Sequence, residues 1–184
     1  MAFLENPPGT VLSFAEYVDI YNTDQRVFES NEIDWENAPQ SPNNLMEYVD
    51  DLCIKATNRI VEKIRVSKKW QDQTHSYNDS EFAGLFDPNL IVRRKSDFTD
   101  MCSYYVLKEY LLAKVADWGN PESPEVQKIK YFEAKFNDLF DEMLTIMDWY
   151  DFDQSGAINA SDIRVGLQTG RRRTRGRYNT ARVR

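Results

Sequence analysis

The sequence predicts an all-α fold. The expected architecture is a small antiparallel helical bundle of three main helices plus a short N-terminal helix, flanked by an extended N-terminal arm and a basic C-terminal tail. Three observations predict it. Apolar residues recur at helical spacing along three long segments. Each of those segments opens on a serine-based start signal. The chain has 184 residues, 41% of them hydrophobic, enough for one domain with a buried core.

The elements follow in order. Residues 1–12 (MAFLENPPGTVL) read as an extended arm, broken by Pro7, Pro8 and Gly9. Ser13 followed by Glu16 reads as a capping box that opens a short helix with Phe14, Val18 and Tyr21 on one side. Residues 22–41 are acidic and loop-like, and VFESNEIDWEN suits either a short strand or a segment lying across a neighbour. The first domain segment is therefore 1–40, and the bundle spans 41–163.

The first long helix begins at Ser41-Pro42, a cap followed by a proline whose missing N–H costs nothing there. Leu45, Val49, Leu52, Cys53, Ala56, Ile60 and Ile64 form its apolar face. Residues 67–95 form a long connection, of the kind that is usually an interaction element. Within it, 89–93 (NLIVR) reads as a short strand, a candidate for pairing with another chain. The second helix starts near Ser96-Asp97, carries Phe98, Met101, Cys102, Tyr105, Leu112, Val115 and Ala116 as a broad apolar face, and ends with Gly119 at C′. The third starts at Ser123-Pro124-Glu125 and carries Val126, Ile129, Phe132, Phe136, Leu139, Phe140, Met143, Met147 and Tyr150. Its pattern lasts about 27 residues, roughly 40 Å. The short link between the second and third helices makes them antiparallel neighbours.

The composition narrows the function. Cys53 and Cys102 fall in helical patterns and read as buried free thiols of a reducing compartment. The N-terminus lacks the pattern of a secretory signal, and no apolar run is long enough to span a bilayer, so a soluble protein is expected. With one histidine, His75, and no Walker, GxSxG, HExxH or CxxC pattern, the expectation is a protein that is not an enzyme.

The formal charge of −7 hides a division. All 30 Asp and Glu lie within residues 1–162, against 15 Lys and Arg, which gives that part −15. Residues 163–184 hold eight Arg and no acid, which gives +8. The arm 164–184 contains Arg171, Arg172, Arg173, Arg175, Arg177, Arg182 and Arg184. Arginine's planar fork suits phosphates and carboxylates, so this segment reads as a partner-binding arm. Protein is favoured over nucleic acid as its target, since Tyr178 is the arm's single aromatic. A solvated tail is the plain alternative.

The third helix leads into 151–162, a twelve-residue D-x-D-x-S-G-x-I-N-x-x-D run. Calcium takes six to eight oxygens, and alternate positions of a tight loop supply them. The expected ligands are Asp151, Asp153 and Ser155 by side chain, Ala157 by its carbonyl, Asn159 directly or through water, and Asp162 closing the shell. Gly156 carries the sharp bend. The run resembles the EF-hand calcium loop, and the Asn after Ile with a closing Asp is nearer the dockerin version. In that frame the helix runs directly into the loop, and Met147, Tyr150, Ile163 and Leu167 flank it. Asp162 departs from the usual Glu, and the loop is single, so a structural staple is expected rather than a sensor. The plain alternative is an acidic turn that ends one helix and caps the next.

The order of LMEYVDDLCIKATNRIVEKIRVSKKW, a long loop, DPNLIVRRKSDFTDMCSYYVLKEYLLAKVADWG, EVQKIKYFEAKFNDLFDEMLTIMDWYDFDQSGAI and an extended tail resembles the head–tail connector (adaptor, or head-completion) proteins of tailed bacteriophages over roughly residues 41–160. The resemblance implies a homo-oligomeric, typically dodecameric ring. The ring sits at the head–tail junction of the virion, is assembled in the host cytoplasm, and extends the channel through which DNA passes without sequence-specific binding. It also implies a portal protein as partner of the arm 164–184, and a neck or tail protein as partner of the loop 67–95. An acidic channel lining would keep DNA sliding. The calcium loop is not implied by this family and stands on its own residues.

Overall fold

A computed structural model describes residues 13–29, 45–74, 86–158 and 162. Seven α-helices lie in these residues: α1 Tyr17–Thr23, α2 Arg26–Glu29, α3 Leu45–Val66, α4 Lys68–Thr74, α5 Lys95–Val106, α6 Leu112–Val115 and α7 Pro124–Ile146. A 3-10 turn covers Pro88–Leu90, and a π-helical turn, Leu107–Leu111, joins α5 to α6. Among the described residues there is no β-strand, only a single antiparallel bridge between Ile91 and Tyr150. The fold is all-α. The N-terminal arm 1–12, the Ser41-Pro42 start signal, His75, most of VFESNEIDWEN and all of 163–184 lie outside the described residues.

The core is built where helix periodicity placed it. In α3, Val49, Leu52, Cys53, Ala56, Ile60 and Ile64 are buried. In α5, Phe98, Met101, Cys102 and Tyr105 are buried against α3 and α7. The two cysteines are free and buried, and the Cys102 thiol donates to the Cys53 carbonyl at 3.5 Å. Burial beside Cys102 pushes the Cys53 thiol well up from its ordinary value, first through the hydrogen bond between the two. Helices α5 and α7 run antiparallel, because Arg94 meets Glu142 while Tyr104 and Tyr105 meet Phe132 and Phe136.

Several local expectations are corrected. Ser13 does not cap α1. The Phe14 N–H donates to Thr57 Oγ1 at 3.0 Å, and Thr99 Oγ1 donates to the Phe14 carbonyl at 2.8 Å. Residues 13–16 are therefore held between α3 and α5, and α1 starts three residues later. Its box is Glu16 and Asp19, with the Glu16 N–H donating to Asp19 Oδ2 at 3.0 Å. Ile20 rather than Val18 faces the core.

The connection 67–95 is not wholly loop. Ser67 Oγ accepts from the Trp70 N–H at 3.2 Å, a cap contact that launches α4. Trp70 is fully buried. Residues 89–93 are not a strand offered to another chain. Val92 N–H donates to the Trp149 carbonyl, and Asp151 N–H to the Leu90 carbonyl, both at 3.0 Å.

Gly119 is not the C′ residue of the second helix. That rod stops at Val115, where Ala116 turns extended with its N–H on the Leu112 carbonyl. The π-helical turn adds a residue to the register and carries Lys108 inward to 7% exposure.

Helix α7 begins as its sequence dictates, with Ser123 Oγ accepting from the Val126 N–H at 3.3 Å and Pro124 in the first turn. Ser123→Ala is expected to cost about 1 kcal/mol, the usual worth of such a cap, measured as a fall in unfolding free energy by urea titration. A loss indistinguishable from zero would show that Pro124 and packing alone set this start. The helix ends at Ile146, after 23 residues rather than about 27.

Candidate metal centre

Met147 takes left-handed backbone (φ 52°) and its N–H closes on the Met143 carbonyl. The Trp149 indole N–H donates to the same carbonyl at 2.7 Å. A buried indole thus finishes the helix, and the chain turns extended to bridge Ile91. The expected direct run of helix into loop is corrected: Met147–Tyr150 stand between α7 and Asp151. Both Met147 and Tyr150 are core residues, whereas Ile163 and Leu167 lie outside the described residues.

Asp151 is the hub of the described part of the loop. Ser155 N–H donates to Asp151 Oδ1 at 3.2 Å and to Asp153 Oδ1 at 3.1 Å. Gly156 N–H donates to Asp151 Oδ2 at 2.7 Å. These contacts need left-handed backbone at Gln154 (φ 56°) and Gly156 (φ 81°). The glycine adopts it without strain; glutamine does so at a cost. Ser155 Oγ donates to the Ala157 carbonyl at 2.9 Å, which gathers two more oxygens. Asp162 returns to the start of the loop, where its Oδ1 accepts from the Phe152 N–H at 3.2 Å.

Asp151, Asp153 and Asp162 each offer a carboxylate oxygen, and these oxygens lie within 4.8 Å of one another. Asp151 and Asp162 are almost wholly buried, while Asp153 is exposed. Two buried carboxylates and a third at the rim favour a hard divalent cation, which neutralises their mutual repulsion. Of the six expected ligands, five lie in the described residues; Asn159 lies outside them. The eight arginines of the arm 164–184 lie outside them as well.

Behind the loop stands an aromatic cluster that the sequence reading did not assemble. Trp70 meets Phe86, Trp149, Tyr150 and Phe152 at ring-centroid distances of 5.2, 6.2, 4.9 and 5.8 Å. The Tyr150 hydroxyl accepts from the Asp87 N–H at 3.2 Å, and burial pushes its phenol up. Arg65 Nη2 donates to the Phe86 carbonyl at 3.0 Å, which ties the same wall to the end of α3. The available signal was Ser67 three residues before Trp70, a cap followed by an aromatic. The chain matches no protein-family model, no curated protein and no solved structure.

Proposed function

We propose that the protein is a structural virion component, an adaptor ring subunit joining the portal of a tailed bacteriophage to its neck or tail. The observation that carries this reading is the pairing of an acidic all-α body with a C-terminal segment of opposite charge. The order of α3, α5–α6 and α7 supports it, because it follows the helix order of the head–tail connector proteins. In this reading the body surrounds the DNA channel, residues 67–95 meet the next neck component, and Arg171–Arg184 dock on the portal. Its role is mechanical rather than catalytic. Mixing the purified protein with the portal protein of the same phage is expected to give ring-shaped complexes by electron microscopy, and deleting 164–184 is expected to abolish them. An absence of rings with the full chain would refute the reading; rings that persist without 164–184 would remove the role of the arm alone.

A second reading is favoured by the three converging carboxylates. The loop 151–162 binds Ca2+ as a staple that fixes the end of the body from which the arm departs. This site and the adaptor role are compatible. Asp151, Asp153 and Asp162 would hold the ion by carboxylate, with Ser155 and Ala157 supplying neutral oxygens.

A further inference from the structure

Where α3 packs on α5, the only two cysteines of the chain meet. Cys102 Sγ donates to the Cys53 carbonyl at 3.5 Å, and the Cys53 thiol is hydrogen-bonded to Cys102. Thr57, one turn after Cys53, places its hydroxyl 3.7 Å from Cys102 Sγ. The same hydroxyl accepts from the Phe14 N–H at 3.0 Å. A buried polar chain therefore runs from residues 13–16, a non-helical strap, to the two sulfurs. The strap is pinned to both helices that carry the cysteines. Thr99 Oγ1 on α5 donates to the Phe14 carbonyl, and the Tyr17 N–H beside the strap donates to Asp50 Oδ1 on α3, both at 2.8 Å.

We propose that Cys53 and Cys102 form an intrachain disulfide that clasps α3 to α5 when the chain meets a small-molecule disulfide, and that release of the strap 13–16 is what exposes them to it. The clasp goes beyond the adaptor reading and does not rest on it. The step is thiol–disulfide exchange. One protein thiol gives up its proton and its sulfur attacks a sulfur of the reagent. The reagent's S–S bond breaks, and its electron pair leaves on a thiolate that takes up a proton. The second protein thiol then attacks the first protein sulfur in the same way, and the rest of the reagent departs as a thiol. Two electrons pass from the two protein sulfurs to the reagent, which ends as two thiols.

The geometry supplies proximity and the strap supplies control. The sulfurs are already in contact across two packed helices, so closing the bond takes a short approach rather than a rearrangement of the fold. In the closed fold the pair is inert. Both cysteines are wholly buried. The hydrogen bond with Cys102 first, then burial, keeps the Cys53 thiol protonated, and the Asp50 and Asp19 carboxylates act in the same direction. Reaction therefore waits on a local opening, and a non-helical segment held by a few hydrogen bonds is the kind that opens below the cost of global unfolding.

The test treats the reduced full chain with oxidised glutathione under native conditions, alkylates the remaining thiols, and maps peptides by mass spectrometry without reduction. The expected product is a linked pair of peptides, one holding Cys53 and the other Cys102, from a chain that stays monomeric in mass. Thr99→Ala, which removes one anchor of the strap, is expected to speed this linkage roughly two- to tenfold, the worth of one hydrogen bond. Ser123→Ala, which weakens only the cap of α7, is expected to leave the rate unchanged. Thiols that stay free even in Thr99→Ala, or that end as separate glutathione adducts, would overturn the clasp. Equal acceleration by both variants would assign exposure to global unfolding and overturn the role of the strap.

Discussion

Calcium at about one hundred times its dissociation constant is expected to stabilise the protein by roughly 2.7 kcal/mol, because an ion that binds only the folded chain adds its binding free energy to folding. For a chain of this size each kcal/mol moves the melting midpoint by about 2–4 °C, so the shift is roughly 5–10 °C. The force behind it is local. Asp151, Asp153 and Asp162 bring oxygens within 4.8 Å of one another, and two of the three carboxylates are buried. A bound ion would relieve their repulsion. The Asp151→Asn variant is expected to lose this response, and also to melt lower without calcium. One of its two side-chain atoms becomes a donor, so it can no longer accept from both Ser155 N–H and Gly156 N–H. The checks are thermal melting in calcium against chelator, and calorimetry. An unchanged midpoint together with no heat of binding would remove the metal from the loop and leave an acidic turn.

What the sequence could and could not announce divides along the range of the interactions. The start of α7 was legible because Ser123, Pro124 and the Val126 N–H lie within one turn of each other. Its end was not, because the residues that stop it act from elsewhere: the Trp149 indole reaches back to the Met143 carbonyl, and Ile91 holds Tyr150 extended. Met147 and Tyr150 keep helical spacing and are buried, so their periodicity was a true signal of the core and a false one of helix. Likewise Phe14 is fully buried but not helical, since Thr57 and Thr99 satisfy its backbone from distant helices. The convergence of Asp151, Asp153 and Asp162 was legible because a tight loop fixes its own geometry. The direction from which the chain approaches that loop was not.

Removing the Trp70 side chain is expected to be the most damaging single truncation here, about 3–5 kcal/mol for Trp70→Ala. Total stability for a domain is about 5–15 kcal/mol, so this change takes a large fraction of it. The argument rests on what the indole joins. It sits on α4, is fully buried, and contacts Phe86 from the connection, Trp149 and Tyr150 from the extended exit of α7, and Phe152 from inside the loop. Its loss leaves a cavity where α4 meets the connection and the exit of α7, and the polar contacts of α4 with α7 are those of the exposed Lys69 with Asp141 and Thr145. Exposed pairs of that kind contribute about 0–1 kcal/mol and cannot compensate. Urea titration of Trp70→Ala against the wild-type chain measures the loss; a value under about 1 kcal/mol would mean that the cluster collapses freely and does not hold the loop. Phe152 lies directly after Asp151, so the same variant is also expected to weaken calcium binding. Trp70→Phe, which keeps a ring in the stack, is expected to retain most of both, and that contrast separates packing behind the loop from a general fall in stability.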